Sequence, residues 1–226
     1  MPQATVTSSD NWRELPATGD PYRNVDETQL DALQSIVQDA IVDELGMTVK
    51  RPGLKLFVDL GTSSSIDGLY WWNAKLMLIV VSAGRVWKIT DAAGTKTELT
   101  GSTALKTGVR VTFATDGTTL IMANGGAMVT TTGSSLVTMA DVDAPTTVSH
   151  VAYLDGYVLA NKTGTATFYF SAINDMLTWG AADFASANAT PGNLIALHVG
   201  WREILLVKPD GVETWFNDGS TPFVRL

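Results

Sequence analysis

At 226 residues, with 45% hydrophobic and 17% charged residues, the chain can bury one or two cores, and disorder throughout is excluded. It has no cysteine, which excludes disulfides, thiolate metal sites and cysteine nucleophiles. A net charge of −8 opposes the phosphate neutralisation that drives most DNA affinity, so high-affinity DNA binding is not expected; an acidic wall would suit a DNA conduit, and a plain solubility role explains the charge equally well.

Residues 1–25 carry Pro2, Pro16, Gly19 and Pro21 without an apolar period and read as an extended docking arm. Its first ten residues lack the basic and apolar regions of a signal peptide. Trp12 and Tyr22 are large aromatics inside this arm, which makes them candidate interface residues. From Asp26, Leu30, Leu33, Val37, Ala40, Ile41 and Leu45 recur at three- and four-residue steps and predict an amphipathic helix, with Gly46 as its stop. The helical segment is therefore assigned to 26–46.

After Arg51-Pro52-Gly53-Leu54 the period changes from 3.6 to 2, and 47–226 reads as a repeat of strand sets. Turn markers followed by a strand recur at Gly84, Gly126, Thr165 and Gly211, spaced 39–46 residues apart. Each is preceded by a partner strand: 74–81, 118–123, 156–161 and 201–208. Before those come 66–72, 109–114, 148–154 and 193–199. Three legible strands per unit, with a less legible edge strand, is the spacing of β-propeller blades of about 40–45 residues. Asp116-Gly117 and Asp155-Gly156 supply turns, as do Asn73-Ala74 and Gly200-Trp201. The longest apolar run, Leu76 to Val81, is too short to cross a membrane. The fold expected is mainly β, a propeller preceded by the arm and one α-helix. It is either incomplete or completed by another chain or segment, since an open last blade would expose an apolar face.

The residues that carry chemistry in other chains form no constellation here. His150 and His198 stand in apolar strand runs without a second ligand at metal spacing, and both read as structural histidines. Asp141 and Asp143 share a loop but lack further oxygen ligands, and read as a solvated connection. Glu203 and Glu213 lie on successive strands and are candidate cross-strand neighbours; opposite Arg202 or Lys208 they would be ordinary surface pairs. Tryptophans at 71, 72, 87, 179, 201 and 215 recur in strand runs, which favours blade packing over a carbohydrate platform. No catalytic, cofactor-binding or metal-binding residue is assigned, no cofactor is expected, and the chain is read as not an enzyme. The rival readings are a glycan-binding or receptor-binding propeller, or a propeller hydrolase.

The segment from Asp155-Gly156-Tyr157 through Phe168-Tyr169-Phe170-Ser171-Ala172-Ile173-Asn174-Asp175-Met176-Leu177-Thr178-Trp179 to Asp183-Phe184-Ala185-Ser186 is more specific than any generic turn. With Arg51-Pro52-Gly53-Leu54, Gly68-Leu69-Tyr70-Trp71 and Val212-Glu213-Thr214-Trp215-Phe216-Asn217, it resembles the packaged-DNA stabilisation proteins of short-tailed bacteriophages, the head-to-tail hub or nozzle family. Met176 stands where that family often has proline. The resemblance implies a structural virion protein without a catalytic centre, built around a β-propeller. It implies a homohexameric ring below the portal and its adaptor ring, in a tail assembled in the host cytoplasm. Such a ring closes the channel to retain packaged DNA and conducts it on genome ejection. The partners implied are other copies of the chain, the adaptor ring, and tail fibre or tailspike proteins, with no membrane insertion. Asn174, Asp175, Trp179, Asp183 and Phe184 join Trp12 and Tyr22 as candidate protein-interface residues.

Overall fold

The structure, a computed structural model, describes residues 40–42, 48–50, 56–102, 105–219 and 223–226. The chain divides into two units, Met1–Leu56 and Phe57–Leu226. In the first, the described residues are two short strands, β1 (Ala40–Val42) and β2 (Thr48–Lys50), paired antiparallel with Ile41 opposite Val49. Residues 26–39 of the expected helix lie outside the described residues, as does the arm. The helix does not run to Leu45, because Ala40–Val42 is a strand instead. Two β-branched residues in Ala40-Ile41-Val42 favour extended backbone, and a short apolar run has no period of its own with which to resist it.

The second unit is built of four antiparallel sheets, each a four-stranded meander. The first holds β3 (Ile66–Trp72), β4 (Met77–Ser82), β5 (Arg85–Ile89) and β6 (Lys96–Leu99). The second holds β7 (Thr112–Thr115), β8 (Leu120–Ala123), β9 (Val129–Thr131) and β10 (Leu136–Thr138). The third holds β11 (Val151–Leu154), β12 (Tyr157–Asn161), β13 (Thr167–Ser171) and β14 (Trp179–Ser186). The fourth holds β15 (Ala196–Gly200), β16 (Glu203–Lys208), β17 (Gly211–Phe216) and β18 (Val224–Arg225). These are the blades expected from the repeat, with the fourth strand of each now visible.

Local chemistry sets the turns between strands. Asp155 and Gly156 join β11 to β12 with φ of 49° and 92°, the two positive values that the favoured two-residue hairpin requires. Trp201 and Arg202 do the same between β15 and β16 at 50° and 65°, without a glycine to ease it.

Three buried apolar clusters join successive sheets. Trp72, Ile79 and Val81 of the first meet Leu120, Met122 and Val129 of the second. Ile121 and Met128 of the second meet Val151, Val158 and Trp179 of the third. Leu159, Phe168 and Phe170 of the third meet Leu197, Ile204 and Leu206 of the fourth. The middle strands of the second and third sheets are thus apolar on both faces because each is a wall between two others.

Each blade also carries one buried polar residue at the end of its second strand, which holds the loop leading into its own first strand. Ser82 Oγ donates to the Ser64 carbonyl at 3.4 Å. Asn124 accepts from Lys106 N at 3.0 Å and donates to the Lys106 and Val109 carbonyls at 2.8 and 3.2 Å. Asn161 Oδ1 accepts from the backbone N–H groups of Ser149 and His150 at 3.1 and 2.8 Å. Lys208 Nζ donates to the carbonyls of Ala187 and Thr190. Four different side chains solve one problem, the unpaired backbone of a buried loop end.

Candidate functional site

The first strands of the four blades converge on a central cavity of about 860 Å³. Its walls come from Ser65–Tyr70, Gly108, Arg110–Phe113, His150, Val151 and Ala196–His198. The strands are tied together around it. Val111 N donates to the Asp67 carbonyl at 2.8 Å. Thr112 Oγ1 accepts from Val151 N at 3.1 Å and donates to the Ala123 and Ser149 carbonyls, both at 3.2 Å. Gly68 permits the closest approach: a methyl group there would stand 2.8 Å from Phe113 Cζ and 2.9 Å from Val111 Cβ.

The lining mixes apolar and polar groups. Tyr70 and Phe113 stack with ring centroids 5.1 Å apart, and burial raises the Tyr70 pKa. Asp67 is the one carboxylate among the lining residues, and it is buried. Its Oδ1 accepts from Ser65 Oγ at 2.9 Å and its Oδ2 from Gly108 N at 3.1 Å. Arg110 and His198 are exposed and His150 is half-buried. His150 Nδ1 lies 3.0 Å from Ser149 Oγ. Burial, and then the neighbouring Arg110 guanidinium, lower the His150 pKa from its ordinary value. The lining does not offer the two facing carboxylates that glycoside hydrolysis uses.

The interface candidates from the sequence fall in different places. Trp12 and Tyr22 lie outside the described residues. Asn174 and Asp175 sit in the β13–β14 connection, where the Asn174 N–H donates to the Gly156 carbonyl at 2.8 Å. Asp175 accepts from Leu177 N and Thr178 Oγ1, both at 2.9 Å, and these bonds hold its pKa below the usual carboxylate value. Trp179 is buried between the second and third sheets, and its Nε1 has no hydrogen-bond partner among the described residues. Its backbone N–H donates to Asp141 Oδ2 at 3.1 Å. Asp183 is half-buried on β14 beside Gly180. Phe184 is exposed and packs against Tyr169 at 5.5 Å.

Other expectations are corrected. Glu213 and Lys208 are not surface groups; their side chains are 2% and 1% exposed and stand 3.5 Å apart. Glu213 Oε1 also accepts from the backbone N–H groups of Ala189 and Thr190, at 3.0 and 3.1 Å. Burial alone would raise its pKa, but the bonds from Thr190, Trp215 and Ala189 and the Lys208 charge outweigh it and hold it low. Glu203 stands opposite Phe216, so Glu203 and Glu213 are not paired across strands. Asp141 is a bracket for the Trp179 and Asp143 backbone rather than a solvated residue. Trp72, Trp87 and Trp179 are buried as expected of blade packing, whereas Trp71 and Trp201 are exposed. His150 and His198, read singly as structural, share the cavity. Sequence reading had no means of finding this, since the two are on different blades.

A second feature is the outer face of the fourth sheet. Leu205, Val207, Val212, Phe216 and Val224 share it by cross-strand register with His198, Glu203 and Thr214, and Leu226 follows at its edge. Val212 and Leu226 are exposed and the other four apolar residues half-buried, and among the described residues no buried cluster forms there.

Four meander sheets radiating from a central cavity define a β-propeller. The fold is shared at 16% identity with the computationally designed Ika4 protein, with a TM-score of 0.53 over 73% of this chain and 99% of that one. The designed Ika8 protein matches at 16% identity and a TM-score of 0.50, over 70% of this chain and 47% of that one. YCF48 from Cyanidioschyzon merolae matches at 12% identity and a TM-score of 0.52, over 74% of this chain and 58% of that one. The chain thus spans about half the length of the latter two. No curated protein matches it in sequence. The phage stabilisation family, described as Bacteriophage P22 Gp10, beta-propeller, matches residues 28–225, and the chain belongs to that family. It is a phage head-to-tail structural protein.

Proposed function

We propose that the chain is a subunit of the hub or nozzle ring below the portal and its adaptor, a ring that retains packaged DNA and conducts it on ejection. The observation that carries this reading is the family match from residue 28 to residue 225, which runs through all four blades. The subunits form a homohexameric ring in the virion tail, assembled in the host cytoplasm. Its contacts are heterologous, the kind that close a ring when the rotation sums to a full turn. The apolar outer face of the fourth sheet supports an associative role, because a soluble protein rarely leaves such a face bare. Trp12 and Tyr22 of the arm dock on the adaptor, and the exposed Phe184 edge is available to a neighbour or to a fibre or tailspike protein. The formal charge of −8 suits a channel along which DNA slides without adhering.

The test is the native mass of the purified chain, alone and with the adaptor ring of its own phage. Joining the adaptor in a fixed ring stoichiometry supports the reading. A chain that ignores the adaptor and instead binds a sugar or turns over a substrate overturns it.

A further inference from the structure

We propose that the central cavity is a binding site for an oxyanion group, a phosphate or a carboxylate, seated between Arg110, His150 and His198. All three residues line the cavity, and each belongs to a different blade. Arg85 and Arg202 each meet a carboxylate, Glu98 and Asp155 respectively, whereas the Arg110 guanidinium has neither an ion pair nor a hydrogen bond among the described residues. The one carboxylate nearby cannot readily fill that role, since both Asp67 oxygens are already engaged, by Ser65 and Gly108. A guanidinium offers five donors in a planar fork that fits a phosphate or carboxylate. His150 has Nδ1 occupied by Ser149, which leaves Nε2 as its free ring nitrogen.

The titratable and charged groups that line the cavity are Asp67 and Tyr70 from the first blade, Arg110 from the second, His150 from the third and His198 from the fourth. Arg110 disfavours protonation of His150. An anion between them cancels part of that repulsion, so binding draws a proton onto His150 and strengthens as the pH falls through its range. The cavity exceeds the volume of one oxyanion, and Ile66, Leu69 and the Tyr70–Phe113 stack offer an apolar wall for the body that bears it.

Calorimetric titration of the full chain with inorganic phosphate and, separately, with glutarate, at fixed ionic strength and at about pH 6 and pH 8, tests this. The expected result is saturable one-to-one binding, tighter at the lower pH and weakened about tenfold by Arg110→Gln. Arg225→Gln, a control on an exposed cation of the last strand, should leave it unchanged. Binding of phosphate alone, or of glutarate alone, identifies the preferred oxyanion and supports the site. Circular dichroism of Arg110→Gln checks folding, and His198→Gln, also exposed, should independently weaken binding. Binding of neither anion overturns the proposal, as does equal weakening by Arg110→Gln and Arg225→Gln, which would mark a general surface-charge effect.

Discussion

Asn161 is fully buried and occupied by backbone: its carboxamide oxygen takes the N–H groups of Ser149 and His150, and its Nδ2 donates to Ser149 Oγ at 2.9 Å. Asn161→Ala leaves those donors unpaired in a closed interior, at about 1–3 kcal/mol for each buried group lost. The denaturant midpoint should fall accordingly, and an unchanged midpoint would show that water replaces the amide. Lys208 and Glu213 perform the equivalent task in the fourth blade as a buried ion pair. Lys208→Met leaves the Glu213 charge without its counter-ion and should cost about 3–5 kcal/mol. The pH dependence follows from Glu213, whose folded pKa is held below its unfolded value. Its contribution is present above the unfolded pKa, near 4.3, and is lost as the pH falls through the lower folded value. Acid unfolding monitored by tryptophan fluorescence should therefore be less steep in Glu213→Gln than in the natural chain, even though the variant starts from lower stability.

At the scale of elements, the first strands of blades one and two meet where Gly68 leaves no room for a side chain. Gly68→Ala forces Phe113 and Val111 to move and should cost about 1–3 kcal/mol as an overpacking change. Hydrogen exchange should locate the loss in β3 and β7. Protection lost instead across β15–β18 would mean that the inner strands are not coupled as their spacing indicates. The Asp155-Gly156 hairpin and the β13–β14 connection form a second coupled pair, because Asn174, itself at φ 57°, packs against Gly156 and bonds to its carbonyl. The polar residues of this connection are thus held largely within their own blade, while Met176 and Trp179 reach into the cluster shared with the blade before.

At the scale of the molecule, three blade interfaces are filled and the outer face of the fourth sheet is open among the described residues. A charge on that face should leave the fold alone, because Val212 is exposed and its neighbours are half-buried. Val212→Asp is expected to change the thermal midpoint little, within about 0.5 kcal/mol of stability. The same substitution should prevent higher assembly, read as native mass with the adaptor ring. If assembly persists, this face is not the contact between subunits.

The blades were legible in the sequence because a middle strand walled in on both sides must be continuously apolar, as in Leu120-Ile121-Met122-Ala123 and Val158-Leu159-Ala160, and because Asp155-Gly156 announces its own turn. The edge strands were not, since β10 and β18 are short and half solvated and carry little apolar signal. A helical stripe over 26–45 likewise could not reveal that Ala40–Val42 pairs with Thr48–Lys50, because three residues carry no period. Sequence by itself determined the repeat, the turn chemistry and the family. Only the tertiary structure decided that Lys208 and Glu213 are buried together and that Arg110, His150 and His198 share one cavity. The reason is physical: strand alternation is local, whereas burial and proximity are set by which blade a strand faces, and those partners lie tens of residues away.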